Sequence, residues 1–309
     1  MNYFKNTFLT IGSLSLIGFL VLAFTSQPVL EDKHLILEND YNVYALEIPE
    51  ALDFSGEALP IHTPDIRERM DRELLVNTYW QSNGLLLFKR SHRYFPVIEP
   101  ILKSYGIPDD FKYLALIESG LQNVTSPAGA KGFWQIMETT GKEYGLEINK
   151  NVDERYHLEL ATHVACNYFL KAKEKFGNWT LTAAAYNAGI RGISNQLEKQ
   201  KVSTYYDLLL GEETGRYVFR AVALKEILGH PKKYGYNFSE SDLYAPIPTS
   251  IIQLDTAVTD FVQFSNKLGL NYKQLKIHNP WLREGFLNNK SRKVYTLEIP
   301  EKGYYSNKN

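Results

Sequence analysis

The chain has 309 residues, 44% hydrophobic and 22% charged, with 34 lysines and arginines against 35 aspartates and glutamates. That is enough for one large domain or two moderate ones with an ordinary core. A net charge of -1 gives no electrostatic reason to expect nucleic acid or an anionic lipid surface as partner, and a single cysteine, Cys166, excludes an intramolecular disulfide.

Residues 1–30 carry one basic residue, Lys5, ahead of an uncharged run from Asn6 to Leu30. Its most apolar part, Ile11 to Phe24, has the length of a signal-peptide core and is short for a spanning helix. Residues 1–26 are therefore expected to be a signal peptide or an uncleaved anchor. Either way the remainder is expected to be exported, to the periplasm or cell envelope, with membrane attachment possible through this segment. Residues 27–90 read as a lead-in, extended to Thr63 and helical from Pro64, with Asn83 and Gly84 separating two helices. Residues 94–106 read as a further helix closed by Gly106.

Pro108, Asp109 and Asp110 mark the start of the next helix. Along it Phe111, Leu114, Ala115 and Glu118 follow the i, i+3, i+4, i+7 spacing and fall on one face. A carboxyl on a core-facing side is costly to ionise without a partner. No basic residue lies between Lys112 and Lys131, and Lys112 is off that face. Glu118 is thus expected to be partly buried with a raised pKa, as a general acid requires. The plain alternative is a glutamate at a helix end, facing water.

Residues 126–132, Ser-Pro-Ala-Gly-Ala-Lys-Gly, form a turn with few side chains, so its backbone can approach a ligand closely. Trp134 and Met137 suit core packing as well as a site, whereas the Gln135 amide both donates and accepts. Glu138 reads as a solvated helix start. Residues 153–177 read as a long amphipathic helix in which Cys166 is a small buried hydrophobe. His157 and His163 are wrongly spaced for two ligands on one helical face, and the remaining histidines form no cluster, so neither metal nor cofactor is expected. Residues 179–189 form an alanine-rich helix with Tyr186 and Asn187 at its end, expected to come near the Glu118 helix. Residues 212–229 form the last helix of the set. Composition then shifts: 231–248 reads as a linker, and 249–300 as strand, helix, helix, strand.

Five stretches occur in one order: ALIESG at 115–120, SPAGAKGFWQIMETTGKEYGL at 126–146, VDERYHLELATHVACNYFL at 152–170, NWTLTAAAYNAG at 178–189 and EETGRYVFRAVALK at 212–225. Together they resemble the catalytic domain of family 1 lytic transglycosylases of the membrane-bound D type. The likeness implies a mainly α protein with a lysozyme-like (SLT) helical catalytic domain over 91–230. A small α+β module of βααβ order, similar to LysM, would follow over 249–300, either binding glycan or serving as a structural appendage. The family usually has proline where this chain has Glu138.

The resemblance further implies Glu118 as catalytic residue, with Ser126, Gln135, Met137, Ala185, Tyr186, Asn187 and Tyr217 binding substrate. Asp153 and Arg155 would fix a loop by an ion pair or cap. The implied partner is the peptidoglycan glycan strand, the implied reaction cleavage between MurNAc and GlcNAc with a 1,6-anhydro end. A lysozyme-like hydrolase and a catalytically silent glycan-binding envelope protein are the competing readings. Ordinary glycosidases need two carboxylates, and no second acid is placed by a motif.

Overall fold

The structure is a computed structural model and describes residues 42–305. Segment 1–26, expected to be a leader or anchor, lies outside the described residues. Among the described residues no helix is long and apolar enough to cross a membrane. The chain divides into two units, Met1–Tyr44 and Ala45–Asn309. Of the first, residues 42–44 are described and carry no regular secondary structure; all helices and strands among the described residues belong to the second.

The stretch read as an extended lead-in contains an antiparallel hairpin of β1 (Asp53–Phe54) and β2 (Glu57–Ala58). Ser55 and Gly56 turn between them with φ of 58° and 80°, the positive-φ pair whose twist suits a two-residue hairpin loop. Phe54 is fully buried against Phe111. The Glu57 carboxylate accepts the backbone N–H groups of Trp179 and Thr180, capping and charge-matching a helix N-terminus far along the chain.

Helix α1 (Pro64–Tyr79) begins with Pro64 and Asp65, as its sequence implies. Helix α2 (Gln81–Ser104) differs from expectation: it runs unbroken through Gly84 and through Pro96 and Pro100. The break falls at Trp80 instead. A Cβ at Gly84 would lie 1.9 Å from the Tyr236 hydroxyl, and that hydroxyl is 3.1 Å from both the Asn77 and Thr78 carbonyls. The glycine is there for a close approach: Tyr236 reaches through the gap to satisfy carbonyls that the end of α1 leaves open. Pro96 and Pro100 sit on the exposed side of α2, where the carbonyls that lose their N–H partner remain open to water.

A 3₁₀ turn at Asp109–Phe111 leads into α3 (Lys112–Ser119). Next come α4 (Glu138–Glu143), α5 (Leu158–Phe176), α6 (Trp179–Ala188), α7 (Ile190–Gln200) and α8 (Glu212–Gly229). The helix expected from residue 153 starts five residues later, because Glu154–Tyr156 forms a 3₁₀ turn. Helix α8 is the hub, packing on α1, α3 and α6, while α5 packs on α2 and α6. Ala183, Ala184 and Ala185 are fully buried, so the alanine helix does permit close packing. It packs chiefly on α5, α7 and α8, and its C-terminal end, with Tyr186 and Asn187, comes to the same groove as Glu118 as expected. Cys166 is buried in α5, and burial pushes its thiol up to about 12, the behaviour of a small hydrophobe.

Residues 231–248, expected to be a linker, form a strap along α2. Arg93 Nε donates to the Ala245 carbonyl at 2.9 Å, His92 Nδ1 meets the Tyr244 carbonyl at 3.0 Å, and the Lys89 ammonium donates to the Asp242 carbonyl. Beyond it, β3 (Thr249–Leu254), α9 (Phe261–Lys267), α10 (Tyr272–His278) and β4 (Tyr295–Pro300) follow the expected βααβ order. The strands pair antiparallel from Thr249 opposite Pro300 to Leu254 opposite Tyr295. The core of this module, around Phe261, Leu275, Trp281 and Leu297, also takes in Val152 and Tyr156 of the helical domain.

Candidate active site

Glu118 occupies the last turn of α3, and the chain leaves the helix at Gly120. Phe111, Leu114 and Ala115 on the same face have no exposure at all. Glu118, one turn further on, is half-buried and opens on a groove of about 480 Å³. Burial pushes its carboxyl from 4.5 up to about 7, against the lowering influence of the Tyr217 hydrogen bond and Arg220 and with a smaller upward push from Glu213. The Tyr217 hydroxyl donates to Glu118 Oε1 at 2.6 Å. Burial and the neighbouring Glu118 keep that phenol far above its ordinary pKa, so it remains a donor. Arg220, one turn along α8, is tied to the same helix by donating to the Ile117 carbonyl at 3.3 Å.

The facing wall is the loop between α3 and α4. Lys131 pairs with both Thr125 and Ile136 through isolated bridges, and Ser126 Oγ accepts the Ala130 N–H at 3.0 Å. At Gly132, φ is 79° and a Cβ would lie 2.0 Å from the Arg155 carbonyl oxygen, so only glycine fits. The Arg155 guanidinium donates to the Gly129 and Ile136 carbonyls at 3.2 and 3.4 Å. Asp153 grips that guanidinium at 2.8 and 2.9 Å and also accepts the Arg155 N–H. The two residues thus form both an ion pair and a cap. Burial works to raise the Asp153 carboxyl, yet Arg155 and Lys131 hold it below its ordinary value.

Gln135 sits at φ 45°, a left-handed conformation that costs a non-glycine residue energy and persists only where its surroundings fix it. Its amide nitrogen donates to the Gly132 and Val124 carbonyls at 2.7 and 3.2 Å. Its N–H groups are thus directed into the loop, and the residue lines the groove. Met137, 42% exposed, stands beside it at the start of α4. Glu138 forms an exposed ion pair with Lys142 at 2.6 Å, consistent with a solvated helix start. Trp134 is fully buried and donates to Thr162 Oγ1 at 2.8 Å, so it belongs to the core.

The groove brings together Glu118, Ser126, Gln135, Met137, Tyr186 and Asn187. Tyr217 stands behind Glu118. Ala185 is fully buried and off the groove wall, its carbonyl accepting the Tyr168 hydroxyl at 2.9 Å. The Tyr186 hydroxyl donates to the Trp134 carbonyl at 2.7 Å, so the carboxyl is oriented by Tyr217 instead. Asn187 donates to Glu213 at 3.1 Å and accepts from Thr214 at 2.7 Å. Glu213, a second acid on the groove wall, is not singled out by any motif, and neither is Arg220. Helical spacing holds the signal: 213, 217 and 220 share one face of α8. His157 lies against Trp281 and His163 meets the Tyr105 hydroxyl, and among the described residues no group of three potential metal ligands occurs.

Residues 96–208 match the family described as the transglycosylase SLT domain, and residues 250–303 match the soluble lytic transglycosylase C-terminal LysM-like domain. Glu118, Gln135, Tyr186 and Asn187 all lie within the stretch matched to the SLT domain, and the module of β3 to β4, apart from Thr249, lies within the stretch matched to the LysM-like domain. Its curated relatives include membrane-bound lytic murein transglycosylase D of Escherichia coli strain K12, 29% identical over 265 residues. The protein of the same name from Escherichia coli O6:H1 matches equally. The alignments cover 83% of this chain and 55% of each relative, so the chain spans about half the length of the curated relatives it matches. A solved structure of an inactive mutant of lytic transglycosylase Slt from Pseudomonas aeruginosa is similar at 17% identity and a TM-score of 0.36, over 50% of this chain and 26% of that one.

Proposed function

We propose that this protein is a peptidoglycan lytic transglycosylase that cleaves the bond between MurNAc and GlcNAc. The observation that carries the reading is a half-buried carboxyl, raised to about 7 and held by Tyr217 over a groove. Near neutral pH a large fraction of Glu118 is protonated and can donate. It protonates the glycosidic oxygen, the C1–O bond breaks, and the leaving sugar departs as an alcohol. The substrate's N-acetyl oxygen stabilises the oxocarbenium-like centre. Glu118, now a carboxylate, takes the proton of the MurNAc C6 hydroxyl as that oxygen bonds to C1. The product is a 1,6-anhydro end, and no water is consumed. One residue acts as acid and then as base, and positioning of the C6 hydroxyl replaces a bound water. Gln135, Asn187 and Met137 are the groove residues assigned to hold the glycan, with Ser126 bracing the loop. The names of the relatives support a cell-envelope location; export through residues 1–26, to the periplasm or to a membrane anchor, is part of the same proposal.

One observation favours a second reading, a lysozyme-like hydrolase: Glu213 lines the same groove and could serve as base toward water. Mass spectrometry of purified peptidoglycan digested with wild type and Glu118→Gln separates the readings. Anhydro ends made by the wild type alone are the expected result. Reducing ends alone would assign the hydrolase, and equal product from both proteins would overturn the role of Glu118.

A further inference from the structure

The LysM-like module meets the helical domain along residues 147–156, the segment that ends in the Arg155 turn. The loop between α10 and β4 pairs backbone to backbone with it: Asp153 N–H donates to the Trp281 carbonyl at 2.9 Å and Arg283 N–H to that of Asn151 at 2.7 Å. Val152 is fully buried within the core of the module. Two side chains of the module then reach back. Lys293 Nζ lies 2.8 Å from both Glu147 and Glu154, and the Tyr295 hydroxyl is 3.0 Å from Glu147. Glu154 also accepts the Glu147 N–H at 2.7 Å, so both acids are fixed in one turn. Tyr295 is itself seated, its ring stacked on Trp281 with centroids 5.5 Å apart.

From this segment two lines run to the groove. Arg155 holds the Gly129 and Ile136 carbonyls on either side of Gln135. Tyr156, its ring covered by the Arg283 guanidinium at 4.2 Å, contacts Thr125 Oγ1 through its hydroxyl at 2.9 Å. The strained φ of Gln135 needs surroundings that fix it, and Arg155 and Tyr156 hold the loop on either side of it, at Gly129, Ile136 and Thr125. The module loop spends its Trp281 carbonyl and Arg283 N–H on residues 151–153 and so faces the helical domain with them.

We infer that the LysM-like module is a positioning element for the substrate loop, with Lys293 and Tyr295 as positioning residues acting through Glu147, Glu154 and Arg155 on Gln135. The inference deepens the proposed function and rests on it for its kinetic consequence, but its structural core is testable without turnover. The experiment is hydrogen–deuterium exchange on the full chain, comparing wild type with the double variant K293A/Y295F. Residues 129–136 are expected to exchange about tenfold faster in the variant, with the β3–β4 amides unchanged. Tyr295→Phe alone, which keeps the ring on Trp281, should move the loop in the same direction by less. Lys293→Arg should retain wild-type protection. With glycan substrate, the double variant should lose kcat with little change in KM, because the loop is displaced rather than its contacts removed. Faster exchange at 147–154 with no change at 129–136 would overturn the inference, as would loss of protection throughout the module. If the loop responds but wild type releases no glycan product, the functional reading fails and the positioning role stands. If product forms and the loop does not respond, the positioning role fails alone.

Discussion

Replacing Glu118 with glutamine removes an ionisation while keeping the shape of the side chain, so its effect on stability must depend on pH. The carboxyl moves from 4.5 in the unfolded chain to about 7 in the folded one. Between those values the native state holds a proton that the unfolded state has released, so stability falls as pH rises. The penalty is absent below 4.5 and complete above about 7. The interval, about 2.5 on the pH scale, corresponds to about 3 kcal/mol. Solvent at the groove rim screens part of it, leaving about 2 kcal/mol. For a chain of 309 residues that is about 3 °C in melting temperature. Glu118→Gln should therefore melt higher than wild type at pH 8 and within a degree or so of it at pH 4, by calorimetry or circular dichroism. An equal offset at both pH values would refute the argument that burial of this carboxyl costs stability. The same ionisation sets activity: the initial rate on peptidoglycan should fall as pH rises through about 7, because only the protonated acid can donate.

Tyr217→Phe removes the hydrogen bond that lowers the Glu118 pKa, so the falling limb of the pH–rate profile should move to higher pH. The lost orientation should lower kcat about tenfold, the scale of one hydrogen bond to a charged group; a limb that stays in place would count against it. Gly132→Ala forces a Cβ to within 2.0 Å of the Arg155 carbonyl at a φ of 79°. It should lower stability by roughly 2–4 kcal/mol in urea unfolding, and a change under about 0.5 kcal/mol would refute the close approach.

The burial of Glu118 was legible because it depends on local periodicity: four residues on one face of α3 fix which way the carboxyl points. The order of the module's elements was legible for the same reason. What sets the chemistry was less so, since it comes from α8, about a hundred residues downstream. Tyr186 and Tyr217 are both helical tyrosines, and only the packing of α8 on α3 gives the second the carboxyl and leaves the first to the Trp134 carbonyl. Asn83–Gly84 and the two prolines of α2 carry strong break signals, yet tertiary contact overrides the first and solvent relieves the second. The docking of the module left no local trace, because Lys293, Tyr295 and Val152 each read as ordinary strand or loop residues.

The strap contact at Gly84 sets where the chain can be divided. A fragment stopping just after α8 would retain every groove residue but lack Tyr236, leaving two carbonyls at the foot of α1 without their donor and a hole beside α2. Any recombinant piece intended to carry the groove by itself has to extend past that tyrosine, however much shorter the matched family region suggests it could be.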